Sequence, residues 1–190
     1  MNILIDELPE ALDGVPINSD FRTWILFEEL ILDDTIEPLE KGLRALRLVY
    51  AGEPKSTARD AWAPLLWFYR CGKDPRPARA RGAGGGPRAY DFEADSERIF
   101  ASFWQTYRID LNDAALHWWK FRAMLDGLPE DTPLSRAVYW RTVDTSKLKG
   151  EQLRNAKEKQ KYYAIRDAAL EKENDNVAAA LMRGEDPGLL

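Results

Sequence analysis

The chain has one cysteine and one histidine among its 190 residues. Cys71 alone forms no intramolecular disulfide, and neither a cysteine-based metal site nor a Cys-Cys redox pair can be built from it. His117 alone excludes metal sites with several histidine ligands. A chain without disulfides suits a reducing compartment, so a cytosolic location is expected. Long apolar runs are missing too. Nothing approaches the ~18 consecutive apolar residues of a membrane span. The opening MNILIDELPEALDG carries acids and lacks a basic segment followed by an apolar run, so no signal peptide is expected. Positive charge is in the minority, with 27 Lys and Arg against 32 Asp and Glu and a formal net charge of -5. A surface that tracks a phosphate backbone needs the opposite balance.

What the chain does have is apolar material. Hydrophobic residues make up 45% and aromatics 11%, including 7 Trp, enough to close a core. The length suits one domain. The pattern is mainly α. A small N-terminal β-hairpin is expected from apolar Ile3, Leu4 and Ile5, the turn pair Asp13-Gly14, and a return through Val15-Pro16-Ile17.

Helical spacing begins at Phe21, behind the capping residues Asn18-Ser19-Asp20, and places Phe21, Trp24, Ile25, Glu28 and Leu32 on one face. Asp34 with Glu37 reads as a capping box for a second stripe of Leu39, Leu43, Leu46 and Tyr50. A third helix starts near Thr57 and ends at Gly72. Pro64 inside it predicts a kink or a late start. Asp91 is expected to cap a helix lined by Ile99, Phe100, Phe103, Trp104 and Tyr107. Asn112 or Asp113 is expected to cap the next, which Gly127 closes, and Pro133 to open a further one through about Val143.

Two segments interrupt this order. Residues 73–89, KDPRPARARGAGGGPRA, break every periodicity and read as a flexible loop within a helical domain spanning 1–146. Charge shifts there. Arg70 to Arg88 holds six Arg/Lys against one Asp, whereas Met1 to Glu40 holds eleven Asp/Glu against one Arg. From residue 147 to 190 the composition turns to Lys, Glu and Gln. It favours a charged helical extension with few anchors: Leu153, Tyr162, Tyr163, Ile165 and Ala169. A break at Asn174–Asn176, a short helix at Val177–Met182 and a frayed end are expected beyond it.

Candidate chemistry is sparse. Neighbouring acids such as Glu28-Glu29 and Asp33-Asp34 diverge on a helix and read as a solvated face. His117 reads as a structural histidine donating to a carbonyl, with no Ser, Cys or acid at suggestive spacing. Cys71 lies between Arg70 and Lys73, which would lower its pKa somewhat. Gly84-Gly85-Gly86 lacks the preceding strand and the Gly-Lys-Ser/Thr of a phosphate loop. The basic loop residues Arg76, Arg79, Arg81 and Arg88 form the one candidate contact for nucleic acid. The absence of stacking aromatics among them argues against that use. No enzyme, cofactor or metal is expected.

The helix expected from Asp113 to Asp126 has two apolar faces, Leu116, Trp119 and Ala123 on one and Trp118, Phe121 and Leu125 on the other. One serves the core. The other needs a second element, a self-association partner or a client, which makes Trp118, Phe121 and Leu125 candidate partner-binding residues.

PINSDFRTWILFEELILDD, LLWFYRCGKD, YDFEADSERIFASFWQTYRIDL, LHWWKFRAMLDGLPEDT and the closing RTVDTSKLKGEQ together resemble the bacteriophage family named after gene product fifteen, found in phages with long non-contractile tails. The resemblance runs to about Lys161, and residues beyond about Ala164 exceed it. Genes of that family tend to lie just upstream of the tape-measure gene. The resemblance therefore implies a tail-assembly protein of the host cytoplasm, a chaperone that binds the tape-measure protein or other tail proteins. A structural component retained in the tail or connector is the alternative, and a nucleic-acid-binding accessory a third. The family carries no catalytic residues to this chain.

Overall fold

The computed structural model describes residues 2–54, 57–73 and 88–165. Among the described residues are one two-stranded antiparallel hairpin, β1 (Ala11–Leu12) and β2 (Val15–Pro16), and then seven helices: α1 (Phe21–Leu32), α2 (Pro38–Val49), α3 (Ala58–Tyr69), α4 (Ser96–Tyr107), α5 (Trp118–Asp126), α6 (Pro133–Thr142) and α7 (Gly150–Tyr163). The class is mainly α, as the periodicity implies.

The hairpin turns on Asp13 and Gly14, both at positive φ (50° and 74°), the geometry whose twist matches paired strands. Its register pairs Leu12 with Val15. Ile3–Ile5 take no part in it. They form an exposed turn closed by the Ile5 and Asp6 amides on the Asn2 carbonyl. The first strand therefore starts later than the apolar triplet suggests.

Capping decides most helix starts. Asp20 accepts from the Arg22 amide to open α1, Thr57 from Asp60 to open α3, and Thr132 from Ser135 to open α6. Three starts lie later than the sequence implies. Asp34 does not cap α2, because the Asp33 carboxylate turns onto Thr35 and Pro38 supplies the first helical position. Asp91 accepts from the Glu93 and Ala94 amides and closes a tight turn, so α4 begins only at Ser96. Asp110, not Asn112 or Asp113, organises the following loop, and His117 caps α5. Helix α3 runs through Pro64 without interruption; the missing N–H leaves the Asp60 carbonyl without its helical donor.

The core is aromatic. Trp24 is fully buried; its ring stacks on Phe68 at 4.5 Å and its indole N–H donates to the Asn18 carbonyl at 2.9 Å. Phe121 stacks between Phe21 (4.6 Å) and Phe103 (5.1 Å), joining α1, α5 and α4. Residues 16–21 thread between the end of α2 and the start of α5. Asn18 donates to the Val49 carbonyl and Phe21 to Leu116, while Trp118 donates back to Ser19. Neighbouring helices pack in a series, α3 on α2, α2 on α1, then α5, α4, α6 and α7.

A buried ion pair closes the second half. Arg141 grips Asp95 with both terminal nitrogens, at 2.5 and 2.9 Å, and also donates to the carbonyls of Ala89 and Tyr163. Asp95 further accepts from Arg98 at 2.7 Å and from the Asp91 amide. Burial pushes the Asp95 carboxyl up, but these donors outweigh it and hold it below its ordinary value. One guanidinium thus joins the segment before α4, α6 and the end of α7. Helix α7 docks on α6 through Ala156, its buried residue, while Leu153 and Tyr163 are half-buried and Tyr162 is exposed. The expected anchor Ala169, the break at 174–176 and the helix at 177–182 lie outside the described residues.

Candidate interaction surface

The three residues proposed for partner binding are interior. Trp118 and Phe121 are 0% exposed and Leu125 6%. Trp118 donates its indole N–H to the Tyr69 carbonyl at 2.9 Å, and Phe121 sits in the stack just described. The second apolar face of α5 is covered by other elements of the same chain, so these side chains offer no surface to a partner in this conformation. The first face is also less buried than its spacing suggests: Trp119 is buried, but Leu116 is half-buried and Ala123 exposed.

Of the basic loop, Arg88 is described. It is exposed and pairs with Asp91 at 2.5 Å. Arg76, Arg79 and Arg81 lie outside the described residues, as does the rest of 74–87.

His117 is built into the fold at both ring nitrogens. Nδ1 accepts the Trp119 amide at 3.1 Å, which fixes the proton on Nε2, and Nε2 donates to the Pro9 carbonyl at 3.1 Å. Burial lowers its pKa, aided by Lys120 and opposed by the Pro9 hydrogen bond and Glu10. The carbonyl-donating histidine expected from sequence is present, with a capping role in addition. Cys71 differs from expectation. It follows the end of α3 at φ 56°, half-buried, and burial pushes the thiol up to about 11 against the opposing charges of Arg122 and Lys73. A protonated thiol is a poor nucleophile at neutral pH.

A polar cluster joins α1, α3 and α5. Tyr69 donates to Glu28 at 2.5 Å, Arg122 donates to the Tyr90 hydroxyl, and the Arg122 guanidinium lies 5.5 Å from the Trp118 ring. Burial, then Glu28, push the Tyr69 phenol far above its ordinary value. These groups tie α1, α3 and α5 to one another and to Tyr90. Among the described residues no group of three or more His, Cys, Asp or Glu is arranged to hold a metal ion, and no helix is long and apolar enough to cross a membrane.

The exposed apolar residues lie elsewhere. Leu26 and Leu32 stand on the outer side of α1, Leu39 and Leu43 on the first half of α2, Trp104 on α4 and Tyr139 on α6. Leu32, Leu39, Leu43 and Trp104 belonged to the expected core stripes. In α2 only Ala45, Leu46 and Val49 are buried, so its first turns project past the core and Leu39 is 78% exposed. A stripe read by spacing alone does not show where the covering element ends.

An aromatic-rich core under helices that leave leucines exposed on α1 and α2 defines a small, mainly α domain. The chain belongs to a phage family: the model of the Bacteriophage Gp15 protein family matches residues 4–165, most of its length, and stops where the resemblance read from the sequence stops. No curated protein and no solved structure matches it.

Proposed function

We propose that this phage protein is a non-enzymatic tail-assembly chaperone of the host cytoplasm that holds the tape-measure protein soluble during tail morphogenesis. The observation that carries the reading is the set of exposed leucines on α1 and α2, Leu26, Leu32, Leu39 and Leu43, on a domain whose core is already closed. A long helical client that is apolar on one side needs adaptable apolar contacts of this kind, set among acidic charge that keeps the complex in solution. The eleven acids between Met1 and Glu40 supply that charge. The buried residues of α5 are not part of this surface.

Co-expression of the tape-measure protein with and without this chain, followed by fractionation, tests the proposal. A soluble complex recovered at low and high salt supports it, since the driving term is apolar burial. Unchanged client solubility with no complex defeats it. Mass spectrometry of purified virions then separates a chaperone, absent from particles, from a component retained in the tail.

A further inference from the structure

Helices α1 and α7 stand far apart in the packing series, and their exposed faces carry opposite charge. On α7, Arg154, Lys157 and Lys161 recur at three- and four-residue spacing and are exposed, with Glu158 among them, while Ala156 is buried. Residues 147–165 hold six Lys/Arg against two Asp/Glu. At the other end, Glu29 of α1 is exposed and lies within charge range of Glu93 in the turn before α4, while its neighbour Glu28 accepts from Tyr69. Burial first, then the charges of Glu93, Asp91 and Glu28, push the Glu29 carboxyl above its ordinary value. Among the described residues no ion pair engages Glu28, Glu29 or Glu93, and none engages Arg154, Lys157 or Lys161. Each charged face has an apolar neighbour: Leu26 and Leu32 flank the acids, and Tyr162, 72% exposed, adjoins Lys161.

We propose that the protein self-associates head to tail, the basic face of α7 in one copy seated on the acidic face of α1 and the Glu93 turn in the next. The two faces match in charge and each carries apolar side chains to bury. Because the contact uses two different patches, it is heterologous, and repeated copies form a ring or an open filament rather than a two-fold dimer. This inference does not depend on the identity of any client.

Sedimentation velocity of the full chain over a range of concentrations tests it. At about 0.05 M salt the average mass should rise with concentration, and at about 0.5 M, where screening shortens the reach of charge, association should weaken at least about tenfold. Arg154→Glu/Lys157→Glu/Lys161→Glu and Glu29→Lys/Glu93→Lys should each stay monomeric at low salt, with circular dichroism unchanged because the altered side chains are exposed. Mixed in equal amounts, the two variants should associate again, one now acidic and the other basic at both ends. A wild-type protein that stays monomeric at low salt overturns the proposal. So does association lost on reversing α1 but kept on reversing α7, which would seat some other basic segment on the acidic face. A mixture that fails to associate overturns it as well.

Discussion

Trp119 donates its indole N–H to the main-chain carbonyl of Phe68 at 2.8 Å, while its neighbour Trp118 does the same to Tyr69. The last carbonyls of a helix have no partner within it. Two consecutive tryptophans at the start of α5 thus supply donors at the end of α3 and bury their rings in the same step. Trp119→Ala should cost about 3–5 kcal/mol, chiefly by the cavity, since the Phe68 carbonyl still accepts from the Cys71 amide. Trp119→Phe keeps most of the apolar volume and should cost less. Urea unfolding of the pair measures this, and equal losses would show that the hydrogen bond, lost in both variants, outweighs burial.

Gly72 sits under the same ring. A Cβ there would lie 2.9 Å from Trp119 Cη2, and the backbone is at φ 70°. Both the contact and the left-handed conformation exclude a side chain without movement. Gly72→Ala should destabilise by about 1–3 kcal/mol. Gly42→Ala, with nothing within 4 Å of the added carbon and an interior helical position, should stabilise by up to about 1 kcal/mol. Opposite shifts in melting temperature are the expected result.

The Arg141–Asp95 pair should be the most sensitive polar contact. Arg141→Met leaves a carboxylate buried with Arg98 as its remaining cation, and removing one partner of such a pair costs about 3–5 kcal/mol. Arg141→Lys keeps the charge but loses the two-pronged geometry, so it should fall between. Asp95 is held below its ordinary value, so its contribution is present above the unfolded carboxyl pKa of about 3.9 and lost as pH falls further. Unfolding of the variant should accordingly differ least from wild type under strong acid.

Helix content, the hairpin turn, the cap at Asp20, the start near Thr57 and the opening of α6 at Pro133 were legible because each rests on local chemistry. The starts of α4 and α5 were not. Asp91 and Asp110 spend their carboxylates on turns, and His117 is an uncommon cap that declares itself only when Pro9 and Trp119 are brought to it. Which apolar face meets solvent was legible least. Trp118, Phe121 and Leu125 are covered by α1, α3 and α4, a tertiary fact, whereas Leu39 and Leu43 fit a helical stripe yet lie beyond its cover. The Arg141–Asp95 pair spans 46 positions and left no mark in spacing.

His117 sets the pH response near neutrality. In the fold the ring is neutral, with Nδ1 accepting at the start of α5 and Nε2 donating to Pro9. Protonation would turn Nδ1 into a donor facing the Trp119 N–H, and would place a cation at the positive end of a helix dipole. Burial adds to both effects, so the folded pKa is lowered. Unfolded chains then take up more protons than folded ones as pH drops, and stability falls with pH. The contribution is full above the unfolded histidine pKa of about 6.5 and is lost on descending through the folded value. His117→Asn can still cap α5 but does not titrate, so it should remove the loss between about pH 7 and 5.5 while costing roughly 1 kcal/mol or less at pH 7.5. Urea midpoints of both proteins across that range decide the matter. A wild-type midpoint that stays flat from pH 7.5 to 5.5, or a variant that declines as steeply as wild type, would show that another group carries the response.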